Sequence, residues 1–452
     1  MLTSANLERP KVFDALFSGY AGPAFSIRLW DGWQWSSSTQ AEPRCSLTFN
    51  SPRAFEALVL RPSEITLGEA FLAGDIDVDG DLFSVFAVTE HIFHCPQGRR
   101  RKLLETLSRV LFEIARWWNQ PHSVERDRTA ISHHYDQPVE FFRPWLGESL
   151  VYSCAYFRSP ADDLATAQAN KLELVCGKLR LRPGDRFLDI GCGWGSLVLH
   201  AASQHQANAQ GITISQEQAA VAAARIREAE LEVAQSCSAE LLDYRNAPGR
   251  FMAFDKIASL GMFEHVGMKN LPRYFRTVYG LLRPRGLFLN HGIAHAQSSP
   301  PRDARPDAEQ HRDRALFARS IDAFLNQIPP LRRARNSSFI DKYVFPDGEL
   351  VTLSEAMQAA ESAGFEVRDV ENLREHYELT LRAWVENLQR NAGQLLRQVS
   401  QTTYRTWLLY LAGSVAAFHR GDIAVYQMLL SRPDGGPSGL PLTREDLYAP
   451  GT

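Results

Sequence analysis

The sequence predicts a doubly wound α/β fold on a mostly parallel sheet, preceded by a small α+β domain. Three observations carry this. Residues 186–195 (RFLDIGCGWG) join a short apolar run to a glycine-rich turn, and residues 196–204 continue with a helical apolar pattern. Further short apolar runs at 209–214, 256–260 and 287–290 alternate with helical stretches, as βαβ units require. Residues 1–96 instead carry strand-like segments at 24–35 and 44–50, where apolar and polar residues partly alternate.

The first run is the most informative. Phe187, Leu188 and Ile190 surround Asp189 as in a buried strand, and Gly191, Gly193 and Gly195 follow at alternate positions. Such a turn lets a ligand approach the backbone where a Cβ would stand in the way. A dinucleotide fingerprint would place a glycine at Ser196 and an acid about 20 residues on, yet no Asp or Glu lies between Gly195 and Glu217. A phosphate loop is excluded because no Lys-Ser or Lys-Thr closes the turn. The pattern D-x-G-x-G-x-G resembles motif I of the class I S-adenosylmethionine (SAM) methyltransferases. In a doubly wound sheet the ligand belongs at the carboxyl ends of the strands, where Thr213, Glu264 and His291 also fall.

At 452 residues the chain has room for two or three domains. A net charge of −3 argues against a globally basic nucleic-acid binder. Six cysteines without a C-x-x-C pair suggest neither a zinc site nor a disulfide framework, and they fit a reducing cytosol. His291 and His295 are four apart at a strand end, without an acid or Cys set, so no metal is expected. The amino terminus lacks the apolar core of a signal peptide. The longest apolar stretch, 407–418, is broken by Ser414 and is too short to span a bilayer. The expectation is a cytoplasmic protein, at most peripheral to the inner face of the membrane.

Three segments are read by position: an amino-terminal domain over 1–96, a helical linker over 97–128 and a catalytic domain over 129–452. Within the first, Asp75, Asp77, Asp79 and Asp81 alternate as in a calcium loop but lack its bidentate Glu, and a tight solvated turn is expected. Residues 98–118 form a basic amphipathic helix. It serves either as a joint with a solvated basic end or as a foothold on anionic lipid. Proline pairs and arginines mark 297–338 as an insertion or lid. Helices are expected near 377–399 and 404–430.

Seven motifs occur in order: HHYD (133–136), YSCAYF (152–157), LDIGCGWG (188–195), GITISQEQ (211–218), GMFEHVG (261–267), KYVFPDG (342–348) and AAFHRGDI (416–423). Together they resemble the cyclopropane-fatty-acyl-phospholipid synthase family, which includes the mycolic acid cyclopropane synthases. The resemblance implies a Rossmann-like sheet of seven strands and a reaction in which an acyl-chain double bond attacks the sulfonium methyl of SAM. An alkene is a poor nucleophile, so placement must supply much of the rate. The carbocation that forms needs a dry site, and aromatic faces can stabilise it without reacting. A bound bicarbonate then removes a proton so that the ring closes.

Carried over by position, the resemblance assigns SAM to Tyr152, Ser153, Phe187, Leu188, Asp189, Ile190, Gly191, Cys192, Gly193, Trp194 and Gly195. Thr213, Ile214, Ser215 and Gln218 take the ribose and methionine side, and Asp243, Tyr244 and Arg245 lie beside the adenine. The bicarbonate falls to Cys154 and Ile293 through backbone N–H groups, and to Glu264, His291 and Tyr377 through side chains. Ser414 stands where many members carry a cysteine near the active site. The implied substrate is an unsaturated phospholipid acyl chain at the membrane surface, and a homodimer is left open. Relatives also methylate acyl chains without closing a ring, and a lipid-binding protein without catalysis is the third reading.

Overall fold

The computed structural model describes residues 3–52, 54–55, 64–93, 137–295 and 350–448. The amphipathic stretch 98–118, the HHYD motif, the 297–338 insertion and KYVFPDG lie outside them. The chain divides into two compact units.

The first unit contains α1 (Thr3–Leu16), β1 (Phe25–Arg28), β2 (Gln34–Ser36), β3 (Cys45–Phe49), α2 (Glu64–Ala73), β4 (Ile76–Gly80) and α3 (Leu82–Phe93). Its strands order as β2-β1-β3-β4, with β1 parallel to β3 and the other pairs antiparallel. Phe13, Phe17, Phe25, Phe49 and Phe55 fill its core. The acidic stretch expected as a turn is strand β4. Its period of two turns Ile76 inward and sets Asp77 and Asp79 on the other face. Asp77 accepts from Asn50 at 2.7 Å, and Asp81 caps α3 through the Phe83 N–H and the Ser84 hydroxyl.

The second unit contains α4 (Val139–Leu146), α5 (Leu164–Leu179), β5 (Arg186–Ile190), α6 (Ser196–His205), β6 (Asn208–Thr213), α7 (Gln216–Glu228), α8 (Leu231–Ser236), β7 (Cys237–Leu241) and β8 (Phe254–Leu260). It continues with α9 (Leu271–Leu281), β9 (Leu282–His295), α10 (Leu353–Ser362), β10 (Glu366–Asn372) and α11 (Arg374–Arg390). Then come α12 (Ala392–Leu395), α13 (Gln401–Arg420), β11 (Ile423–Ser431) and α14 (Glu445–Tyr448). Of these, the stretch Ala392–Ala416 belongs to the first unit. Arg405 explains the assignment, since its guanidinium donates to the Phe71 and Ile76 carbonyls and pairs with Asp77.

The sheet has the seven strands and mostly parallel pairing that the resemblance implies, in the order β10-β11-β9-β8-β5-β6-β7. β7, β6, β5, β8 and β9 are mutually parallel, whereas β11 pairs antiparallel with both β9 and β10. The chain enters at β5 and winds first toward β7 and later toward β10, so the order reverses beside β5. The helix expected over 404–430 ends at Arg420. Gly421 adopts a φ of 76°, and the β-branched and apolar run that follows becomes β11.

Candidate active site

The glycine turn hangs from the carboxyl end of β5. Phe187 packs into the apolar cluster on one side of the sheet and Leu188 and Ile190 into the cluster on the other, so these side chains support the turn from below. Gly193 has a φ of 53°, and a Cβ built there meets nothing within 4 Å. Open space beside left-handed backbone is what a ligand held against the chain requires. The Gly191 and Cys192 N–H groups donate to the Ile212 carbonyl at 2.8 and 3.0 Å, and Arg225 holds the Trp194 carbonyl at 2.7 Å.

Two further loops meet this turn at the same sheet edge. Thr213 donates its hydroxyl to Gln218 at 2.9 Å, and Ser215 caps α7 by accepting from the Gln218 N–H. Ile214 between them is 78% exposed, an aliphatic side chain left for a ligand to cover. The Leu242 N–H donates to the Thr213 carbonyl at 2.9 Å, which brings in the loop after β7. There Asp243 accepts from the Arg245 N–H at 2.9 Å, and the pairing with Arg245 holds its carboxyl below the usual range. Tyr244 lies edge-on to Tyr274.

Asp189 is buried, and desolvation pushes its carboxyl up to about 7 against the pull of the Lys171 charge. Lys171, also buried, donates to the Ser153 hydroxyl at 2.9 Å, while Gln168 donates to the Ser153 carbonyl at 3.0 Å. Helix α5 thereby fixes the loop that carries Tyr152, Ser153 and Cys154. Tyr152 lies among Phe142, Trp145 and Trp384, with ring centroids 6.3, 5.6 and 5.2 Å away.

The second cluster forms where β8 and β9 end. The Gly261 N–H donates to the His291 carbonyl at 2.9 Å, and a short 3-10 helix, Phe263–His265, then turns Glu264 back toward β9. Gly292 permits this approach, because a Cβ there would come within 2.8 Å of Phe263. Glu264 Oε1 accepts from the Ile293 N–H at 2.7 Å, so that donor, expected for an anion, meets Glu264 in this structure. Glu264 Oε2 is buried and has no hydrogen-bond partner among the described residues, and burial pushes the carboxyl up to about 7. His291 lies adjacent on β9 and is buried. Desolvation and the nearby Lys171 and Lys178 charges push it down to about 3, so it is neutral.

Cys154 is buried and its thiol is pushed up by desolvation, so it is no thiolate. Its sulfur lies 3.8 Å from the Leu373 carbonyl, and the Ala155 N–H donates to Thr380 at 3.0 Å. These contacts tie the 152–155 loop to α11, which carries Tyr377 beside Trp384 and Phe418. Ser414 belongs to the first unit, where its hydroxyl donates to the Tyr410 carbonyl at 2.9 Å.

Lys171, Lys178, Thr380, Glu371 and Gln427 were missed by sequence reasoning. The lysines alone left a signal, two charges seven residues apart on the buried face of α5. Cys176, His200 and His205 bring ligand atoms within 4.8 Å of one another. Glu173 already engages both imidazoles at 3.1 and 3.2 Å, and the Cys176 thiol is pushed up by burial, so the group reads as a hydrogen-bonded cluster.

Strand order, glycine turn and the loops around it define a class I SAM methyltransferase. The sequence model of the mycolic acid cyclopropane synthetase family matches residues 122–428, and the chain belongs to that family. Residues 12–91 match a separate domain of unknown function. Over 430 residues the chain is 37% identical to "Probable fatty acid methyltransferase" of Pseudomonas putida, covering 93% of this chain and 95% of that one. It is 31% identical over 387 residues to the cyclopropane-fatty-acyl-phospholipid synthase of Escherichia coli, covering 85% and 87%. The structure of mycolic acid cyclopropane synthase CmaA1 with SAH and CTAB aligns with a TM-score of 0.54 at 30% identity, over 69% of this chain and 99% of that one. The open space at Gly193, the exposed Ile214 and the buried Asp189 fit SAM.

Proposed function

We propose that the protein transfers the SAM methyl group to the double bond of an unsaturated phospholipid acyl chain and closes a cyclopropane ring, with bound bicarbonate as the base. The observation that carries this reading is the buried Oε2 of Glu264, without a partner among the described residues, on a carboxylate whose Oε1 is fixed to the end of β9. When bound, SAM supplies an electrophilic methyl and bicarbonate a small base. The chain's own residues do the rest. Gly191, Gly193 and Gly195 admit the methyl donor. Tyr152 and Trp384 offer aromatic faces to developing positive charge. Neutral His291 donates a hydrogen bond to an anion, while Glu264, poised near neutrality, fixes its orientation. Tyr377 and the Cys154 backbone N–H complete the base site in this reading, and Ile293 acts through Glu264, whose Oε1 its N–H holds.

Supporting a lipid substrate are the names of the relatives and the CTAB bound to CmaA1. Among the described residues no helix is long and apolar enough to cross a membrane. In this reading the protein works at the cytoplasmic face and reaches lipid from the water side. The test uses purified protein, vesicles of monounsaturated phospholipid and labelled SAM. Transfer should fall when bicarbonate and carbon dioxide are removed and return when bicarbonate is added. Transfer indifferent to bicarbonate would contradict the assigned base. A second reading, methylation without ring closure, is favoured by the name of the Pseudomonas putida relative and is separated by the product's structure.

A further inference from the structure

Strand register places three polar residues in one row across the sheet. Glu371 on β10 is the partner of Gln427 on β11, and Gln427 is the partner of His291 on β9. Directly opposed residues of antiparallel strands project from the same face, so the three side chains lie side by side. Helix α5 lays Lys178 across them. Its ammonium, 1% exposed, pairs with Glu371 and donates to Gln427 Oε1 at 2.7 Å. Gln427 Nε2 lies 3.2 Å from His291 Nδ1. Gln427 and His291 are each 1% exposed.

An ammonium has donors and no acceptor, which settles the polarity of the row. The Gln427 carbonyl oxygen must face Lys178, so its amide N–H₂ must face His291. A donor at Nδ1 leaves that nitrogen to accept, and a neutral imidazole then carries its proton on Nε2. We infer that Glu371, Lys178 and Gln427 are positioning residues that lock His291 as the Nε2–H tautomer, so that it faces its ligand only as a donor. This rests on the reading of His291 as part of the base site. It adds that the donor role is imposed through the sheet by Lys178.

The test follows the His291 ring nitrogens by NMR in full-length protein labelled with nitrogen-15 histidine, the signal assigned by its loss in His291→Gln. Wild-type protein should show a protonated Nε2 and an unprotonated Nδ1. In Gln427→Glu a carboxylate accepts from both neighbours, and the proton should move to Nδ1. Turnover should then fall about 10- to 100-fold with KM for SAM unchanged, the scale of losing the group that orients a histidine. Lys178→Arg, which keeps donors only, should retain the wild-type tautomer, whereas Lys178→Met should give a mixture. A wild-type ring protonated at Nδ1, or Gln427→Glu with wild-type tautomer and turnover, would overturn the inference. The spectrum reports on the row whether or not His291 serves in turnover. Full activity of His291→Gln would instead count against the base site.

Discussion

The two oxygens of Glu264 differ. Oε1 is held by the Ile293 N–H, and Oε2 is buried and has no partner among the described residues. Glu264→Gln should therefore leave SAM affinity, read by calorimetry, nearly unchanged while turnover falls about 10²- to 10⁴-fold. Near-normal turnover would remove Glu264 from the base site. The same residue predicts a pH effect. Its folded carboxyl titrates at about 7 rather than the ordinary 4.5, so the folded state binds the proton more tightly. Its contribution is complete below pH 4.5 and is lost as pH rises toward about 7, a span worth about 3 kcal/mol. Buried His291 acts oppositely, because its depressed value makes folding weaken as pH falls below the ordinary 6.5. Denaturation of ligand-free protein at pH 5 and pH 8 should show Glu264→Gln gaining stability relative to wild type at the higher pH. A pH-independent difference would contradict the shift. Glu264 could be singled out in the sequence because it lies in the GMFEHVG motif, and His291 because it falls at the end of an apolar run read as a strand. Gln427 and Glu371 were not, since a polar residue within a strand looks like ordinary alternation until register shows which face it shares.

At the scale of elements, the glycine turn and the central parallel strands could be read from apolar runs joined to glycines. Two elements could not. The alternating aspartates form β4, where period two serves a sheet as readily as a loop. The run after Gly421 forms β11, because one left-handed glycine ends a helix that the apolar pattern alone would extend. Gly292 illustrates how tightly elements meet at the site. Gly292→Ala would place a methyl 2.8 Å from the Phe263 ring and push the Glu264 turn away from β9. We expect a loss of about 1–3 kcal/mol in chemical denaturation and a larger effect on kcat than on SAM affinity. Wild-type stability together with wild-type kcat would show that the turn does not depend on this approach.

Across the whole molecule, the second compact unit is not one continuous segment. Ala392–Ala416 packs with the first unit, anchored by Arg405, although sequence position alone assigns it to the 129–452 domain. Arg405→Met should therefore loosen the first unit, raising hydrogen exchange at residues 70–80 with a cost of about 2–4 kcal/mol. Exchange unchanged there would contradict the anchoring role. A chain cut to residues 129–452 would likewise strip α13 of β4 and α2, and should aggregate more readily than the full chain. Ring closure is decided by the product, which mass spectrometry identifies. The protein would be expressed in a host lacking its own cyclopropane synthase, and the membrane fatty acids analysed. The account predicts a species one methylene heavier than an unsaturated chain and resistant to mild hydrogenation, lost in Glu264→Gln. The same mass gain with a surviving double bond or a methyl branch would contradict ring closure, and no new lipid despite SAM binding would contradict the acyl-chain substrate.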